Sequence, residues 1–278
     1  MAMTPTASPP SSLLPPLLAV DERGRGDALV LLHPIGTSAA LWRDVVPLLA
    51  GRYRVLALDL PGHGLSPAGE GPLSIDGMAE RVRTTLASRG ALPAHVVGLS
   101  MGGMVAQALL IRSPGSVRSL ILCGTSSGPT EAGAAMLRKR AETVEKEGIE
   151  VIIDETITRW FSETFRRDRP EIVGWVRAML LAGNRQVHAD CWRAIAAFRS
   201  AGRIAVRRPT LVVNGELEAA ASPATGPALA DLMAGELTEI AGAAHISPLE
   251  DVDGFARLVD RFLGRVPAIT QSTGGTSQ

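Results

Sequence analysis

The sequence predicts an α/β protein: a doubly wound, mostly parallel sheet carrying a helical cap insertion. Three observations predict it. Short, continuously apolar runs recur along the chain, as in strands buried on both faces. Stretches with helical spacing separate them, the alternation that right-handed crossovers require. Between residues 128 and 207 this alternation gives way to helical sequence throughout. The expected layout is a core domain of residues 15–127 and 208–264, a cap of 128–207, and flexible tails at 1–14 and 265–278.

In chain order, the opening segment is poor in basic residues, and Pro15 and Pro16 interrupt its apolar stretch, which suits a flexible leader better than a secretory signal. Strands are expected at Ala28–His33, Tyr53–Leu58, His95–Leu99, Val117–Cys123, Thr210–Asn214 and Glu236–Ile240. Helices are expected at Trp42–Leu49, Ile75–Arg89, Met101–Arg112 and Phe255–Leu263. Within residues 128–207, three stretches (MLRKRAETVEKEGIEVIIDETITRWF, EIVGWVRAMLLAG and CWRAIAAFRSAG) read as helices over the carboxyl ends of the strands, where a substrate pocket needs a wall.

Composition narrows the function. At 278 residues and 46% apolar, the chain can bury one sizeable core and is too apolar for general disorder. Its 28 basic and 28 acidic residues cancel, so no global field would hold nucleic acid or an anionic bilayer. Of the basic residues only Lys139 and Lys146 are lysine, a bias of genome composition rather than a site. Cys123 and Cys191 are too few for a disulfide framework, and no metal-ligand spacing occurs, so no metal or cofactor is expected. No apolar run reaches the roughly 18 residues that span a bilayer. A cytoplasmic protein is therefore expected, and its oligomeric state is not encoded in any pattern.

The strongest motif is Gly98-Leu99-Ser100-Met101-Gly102, with Gly103 following. It lies between a strand and a helix. A turn that tight tolerates no bulk beside it and pushes the serine Oγ out over the sheet edge, with a helix N-terminus beneath a developing oxyanion. A serine hydroxyl needs a base. His245, in the loop GAAHISPLED after the last strand, is placed at the same edge. His33 and His63 follow strands and could line the pocket, while His95 at a strand start and His188 in the cap are not natural partners of Ser100. An acid should orient the base. After Thr210–Asn214 the chain reads NGELEAAASP; Glu218 is the choice, with Glu216 the alternative. Oxyanion donors are expected from the amides of Met101 and of Ile35, since Pro34 has no N–H. In the cap, Trp160 and Trp192 are candidates for substrate contact, although aromatic residues there serve packing equally well. Arg140 and Arg159 could pair with a substrate carboxylate or lie on a solvated helix face.

With LLHPIG, ALDLPGHGLS, GLSMGG, PTLVVNGE and AGAAHISPLED in the order serine, acid, histidine, the chain resembles the α/β-hydrolase superfamily from about Leu17 to Leu263. The resemblance marks Asp59 and Gly62-His63-Gly64 as structural. Within the superfamily, GLSMGGMVAQ, CGTSSGP, RWFSETF, VRAMLLA and CWRAIAAF are similar to 3-oxoadipate enol-lactonases. That similarity implies a cofactor-free hydrolase that opens a small lactone or ester through a Ser100 acyl-enzyme. The chain departs from the family at Glu218, where aspartate is usual, and at Leu137, Cys191-Trp192 and Val187-His188, all expected to wall the pocket. The same scaffold hosts carbon–carbon bond hydrolases, perhydrolases, acyltransferases and biosynthetic tailoring enzymes. A non-catalytic ligand-binding protein is a further alternative.

Overall fold

A computed structural model describes residues 16–220 and 224–267. The expected tail at 1–14 and most of that at 265–278 lie outside the described residues. Val266 packs against the core.

The chain begins with an edge strand that the hydrophobic pattern does not reveal. Strand β1 (Val20–Arg23) is largely exposed and runs antiparallel to β3 (Arg54–Leu58), pairing Val20 with Leu58 and Arg23 with Val55. Backbone pairing rather than apolar burial holds it. Strand β2 (Ala28–Leu32) follows, parallel to β3 and buried from Leu29 onward. The expected helix Trp42–Leu49 is broken into a 3-10 turn (Ala39–Trp42) and a short helix α1 (Val46–Leu49). Pro47 explains the break: inside a continuous helix it would leave the Arg43 carbonyl without a donor and press its ring against it, but it is tolerated in a first turn.

The remaining core elements fall within a few residues of expectation. Helix α2 (Ile75–Ser88) is capped by Ser74, and β4 (Ala94–Leu99) leads through one residue into α3 (Met101–Arg112). Strand β5 is Val117–Cys123, β6 is Thr210–Gly215 and β7 is Glu236–Ile240. Between β5 and β6 come five helices: α4 (Glu131–Glu147), α5 (Glu150–Trp160), α6 (Glu163–Asp168), α7 (Pro170–Leu181) and α8 (Arg185–Ala197). Helix α9 (Thr225–Met233) joins β6 to β7. The chain closes with α10 (Ser247–Glu250) and α11 (Val252–Leu263), whose start at Asp251 precedes the expected Phe255 because the Asp251 carboxylate caps the Gly254 amide.

The seven strands lie in the order β1-β3-β2-β4-β5-β6-β7, all parallel except β1, which bears out the expected fold class. From β2 the chain crosses one way to β3; from β4 it crosses the other way to β5. The crevice at the carboxyl ends of the adjacent strands β2 and β4 is thus the topological switch point, where such sheets bind ligands. Helices α4 and α8 pack along each other. The insertion reaches the carboxyl edge through Val187 against Gly62, Leu180 and His188 against Gly36, and the Trp160 carbonyl, which accepts the Ile246 amide. No described helix is long and apolar enough to cross a membrane.

Candidate active site

Ser100 occupies the one-residue turn between β4 and α3 with φ 54° and ψ −115°, a conformation that L-residues adopt only under constraint. The glycines around it are dictated by contact. A Cβ on Gly98 would lie 2.6 Å from Gly103 Cα, one on Gly102 would lie 2.6 Å from the Leu32 carbonyl carbon, and one on Gly103 would lie 2.6 Å from Thr125 Cγ2. The turn is therefore closed on three sides by backbone and by Thr125, whose hydroxyl donates to the Ser100 carbonyl at 2.8 Å. Such packing stores the strain that exposes a nucleophile. Among the described residues, Ser100 and Ala234 are the non-glycine positions with positive φ.

His245 and Glu218 converge on the same corner. The Ser100 amide donates to the Cys123 carbonyl at 2.8 Å, and a Cβ on the next residue, Gly124, would lie 3.1 Å from His245 Nδ1 and 3.2 Å from Glu218 Oε2. The elbow serine and the His245–Glu218 pair thus flank the end of β5. His245 Nδ1 donates to Glu218 Oε2 at 2.8 Å, with both side chains 4% exposed. With the proton on Nδ1, Nε2 is left as an acceptor. Glu216 does not reach the imidazole; its carboxylate accepts the Gly242 amide. The extra methylene of glutamate over aspartate is accommodated because the Glu218 loop is laid back against the histidine loop: Leu217 N donates to the Ala243 carbonyl at 2.8 Å, and Glu218 Oε1 accepts the Ala220 amide at 2.7 Å.

Across the switch point lies the loop His33–Thr37. Its two histidines brace the backbone. Leu60 N–H donates to His33 Nε2 at 2.9 Å, so the proton sits on Nδ1 and is donated to the Pro34 carbonyl at 2.8 Å. Gly36 N–H donates to His63 Nε2 at 3.0 Å, which leaves Nδ1–H for the Pro61 carbonyl. Burial holds the pKa of both below the usual imidazole range, and neighbouring His63 lowers that of His33 further, so both act as neutral donor–acceptor pairs. The sequence suggested that these histidines line the pocket; both imidazoles are engaged by the loops they hold. The Gly36 amide is thereby occupied, whereas the expectation for an oxyanion rested on the Ile35 and Met101 amides. Asp59 accepts the Ala39 and Leu65 amides, and a Cβ on Gly64 would collide with its carboxylate, a structural role in line with expectation.

The insertion supplies contacts that the sequence did not disclose. Trp160 packs its ring 6.0 Å from that of His245. Arg159, considered for a substrate carboxylate, donates instead to the Ala219 and Ala220 carbonyls of the Glu218 loop. Arg140 bonds Glu155 through Nη1 and Thr156 through Nη2, and stands 5.2 Å from the Trp192 ring. Glu250 accepts the Ser162 amide and hydroxyl and the Ala244 amide, tying the insertion to the histidine loop. His188, set apart from Ser100 by the sequence reading, lies against the oxyanion loop: a Cβ on Gly36 would be 2.7 Å from its Cε1. Neither contact has a local sequence signal, since each joins segments far apart in the chain. His95 is at the opposite edge of the sheet, bonded to Ser119 at 2.7 Å. Among the described residues, no group of three acids, histidines or cysteines is placed to hold a metal.

Residues 29–258 match the family described as "Alpha/beta hydrolase family". The chain is 29% identical over 239 residues to 3-oxoadipate enol-lactonase 2 of Acinetobacter baylyi, spanning 86% of this chain and 89% of that protein. A thermophilic esterase from Thermogutta terrifontis superposes with a TM-score of 0.85 at 27% identity, over 90% of this chain and 94% of that one. The enol-lactonase from Burkholderia xenovorans superposes with a TM-score of 0.82 at 28% identity, over 89% of this chain and 96% of that one.

Proposed function

The chain belongs to the α/β-hydrolase family, and from that premise we propose that it is a serine hydrolase opening a small lactone or ester through Ser100, His245 and Glu218. The observation that carries this reading is the strained Ser100 at one end of the β5 corner, with the buried His245–Glu218 pair at the other. Likeness to proteins named lactonase and esterase supports the bond type.

In the proposed cycle, His245 Nε2 takes the Ser100 proton as Oγ attacks the carbonyl carbon. The Ile35 and Met101 amides hold the resulting oxyanion, aided by the N-terminus of α3. His245 then protonates the leaving oxygen, which in a lactone stays tethered to the acyl chain. Water, deprotonated by the same imidazole, attacks the acyl-enzyme and restores Ser100. Glu218 stays ionised and stabilises the imidazolium. The cycle uses no cofactor and no metal. Residues 128–207 are assigned as a cap that keeps bulk water from these dipoles, with Trp160 against the histidine as one of its walls.

A fluorophosphonate probe tests the assignment. It should label Ser100, and Ser100→Ala should abolish turnover of short-chain p-nitrophenyl esters and lactones. Turnover that persists in Ser100→Ala would replace the acyl-enzyme with non-covalent chemistry, and labelling without turnover would point to a binding protein.

A further inference from the structure

Three buried polar groups of the insertion make no hydrogen bond among the described residues: Arg140 Nε, His188 Nδ1 and Trp192 Nε1. They are neighbours. The Arg140 guanidinium stands 5.2 Å from the Trp192 ring centre, and the His188 and Trp192 rings meet edge-on at 5.9 Å. His188 is 4% exposed, and a Cβ on Gly36 would sit 2.8 Å from its Nδ1, so the cluster abuts the loop that carries the Ile35 amide. Native proteins rarely leave even one such atom unpaired, and each needs a reason. Trp42 Nε1, Thr84 Oγ1, Arg118 Nε and Ser247 Oγ are also without a partner among the described residues, but Arg140, His188 and Trp192 stand together, beside the loop of Ile35 and Gly36.

We infer that Arg140, His188 and Trp192 form a subsite for an uncharged oxygen acceptor, a ketone or amide carbonyl, on the substrate near its reacting carbonyl. This rests on the hydrolase reading above and adds the substrate class. The choice of an uncharged group follows from what the trio can offer. Arg140 has both terminal nitrogens committed, to the Glu155 carboxylate at 2.9 Å and to Thr156 at 2.7 Å, so it presents a single Nε–H rather than the fork that grips a carboxylate. Its charge is already countered by Glu155. His188 is neutral: burial first, then His63 and Arg140, push its pKa down to about 3. The Arg140 Nε–H, the Trp192 Nε1–H and, in its Nδ1–H tautomer, His188 are single donors, which suit a carbonyl oxygen better than the two oxygens of a carboxylate.

Three matched p-nitrophenyl esters test it: hexanoate, 5-oxohexanoate, and the hemiglutarate with a carboxylate at the same carbon. The 5-oxohexanoate should be preferred over hexanoate in kcat/KM by about threefold to tenfold, the range one neutral hydrogen bond provides, and over the hemiglutarate by at least as much. Trp192→Phe, which keeps the ring and removes the N–H, should erase that ratio. His188→Phe should erase it also, and His188→Asn should restore part of it. Equal turnover of all three, preference for the hemiglutarate, or a ratio unchanged in Trp192→Phe would overturn the inference while leaving the hydrolase intact. If no ester turns over and Ser100 resists the fluorophosphonate, the hydrolase reading fails instead. The subsite is then judged by calorimetry, in which 5-oxohexanamide must bind more tightly than hexanamide and lose that advantage in Trp192→Phe.

Discussion

Where a Cβ would sit on Gly98, Gly102 and Gly103, backbone or Thr125 atoms already stand, whereas a Cβ on Gly174 in α7 would meet nothing within 4 Å. The two positions stand for a crowded turn and an open helix face. At the elbow each residue is dictated by backbone contact, and α3 behind it is buried from Met101 to Leu110. The insertion buries an apolar core that includes Phe161, Val176 and Leu180, carries ion pairs at its surface, such as Arg177 with Asp154 and Arg193 with Glu145, and keeps three buried polar atoms without a hydrogen-bond partner among the described residues. Exposed ion pairs contribute little stability, so such a surface is free to vary. The lesson is a division of labour. Sterics at the sheet edge hold the Ser100 turn, and under the proposed function the side chains of the insertion select the substrate.

The sharpest way to break this division is at the acid, where one methylene was moved without loss of the bond to His245. Glu218→Gln should lower kcat about a thousandfold or more, because the amide no longer stabilises the imidazolium. Glu216→Gln, which loses one exposed contact to Gly242, should stay within about twofold. Steady-state kinetics on a short-chain ester decide it, and equal losses would place the acid elsewhere.

Next in size is the glycine pair. Gly98→Ala should cost about 3 kcal/mol or more, since the new methyl meets rigid backbone. Gly174→Ala should stabilise by roughly 0.5–1 kcal/mol through helix propensity and a less entropic unfolded chain. Urea unfolding of both variants measures the contrast, and a well-tolerated Gly98→Ala would remove the steric account of the elbow.

A third test uses two buried histidines, His95 in the sheet and His188 in the insertion. Burial, then Arg118, lowers the pKa of His95 to about 4, and burial, then His63, lowers that of His188 to about 3. In both, the folded state disfavours the proton that the unfolded chain binds near pH 6.5, so the unfolded state holds more protons and stability rises with pH. The contribution is complete above pH 6.5 and is lost as pH falls toward 4 and then 3. At pH 5 each should have cost on the order of 1–2 kcal/mol. Unfolding free energies of the parent, His95→Gln and His188→Gln at pH 7.5 and 5.0 test this, and a pH dependence unchanged in both variants would show that neither imidazole is held neutral.

Much of this site was legible in the chain. Gly98 to Gly103 could be read because a tight strand–helix turn imposes residue types over six consecutive positions, and His245 because it follows the last strand in the expected order. The exposed β1 carries no apolar face to mark it, and Pro47 breaks the helix that the apolar spacing of Trp42–Leu49 predicts. The contacts of Arg159 and Glu250 leave no local signal for a different reason: their partners, Ala219 and Ser162, lie 60 and 88 residues away.

By itself the sequence determined the parallel sheet, the elbow and the order of serine, acid and histidine, because apolar runs and steric turn requirements are local properties of a chain. Only the tertiary structure decided that Glu218 rather than Glu216 meets His245, that His33 and His63 brace loops, and that Arg140, His188 and Trp192 share one buried corner. Those outcomes depend on which side chain packing leaves facing which neighbour. Such facings are settled by the assembled core and insertion together, through contacts that no local spacing encodes.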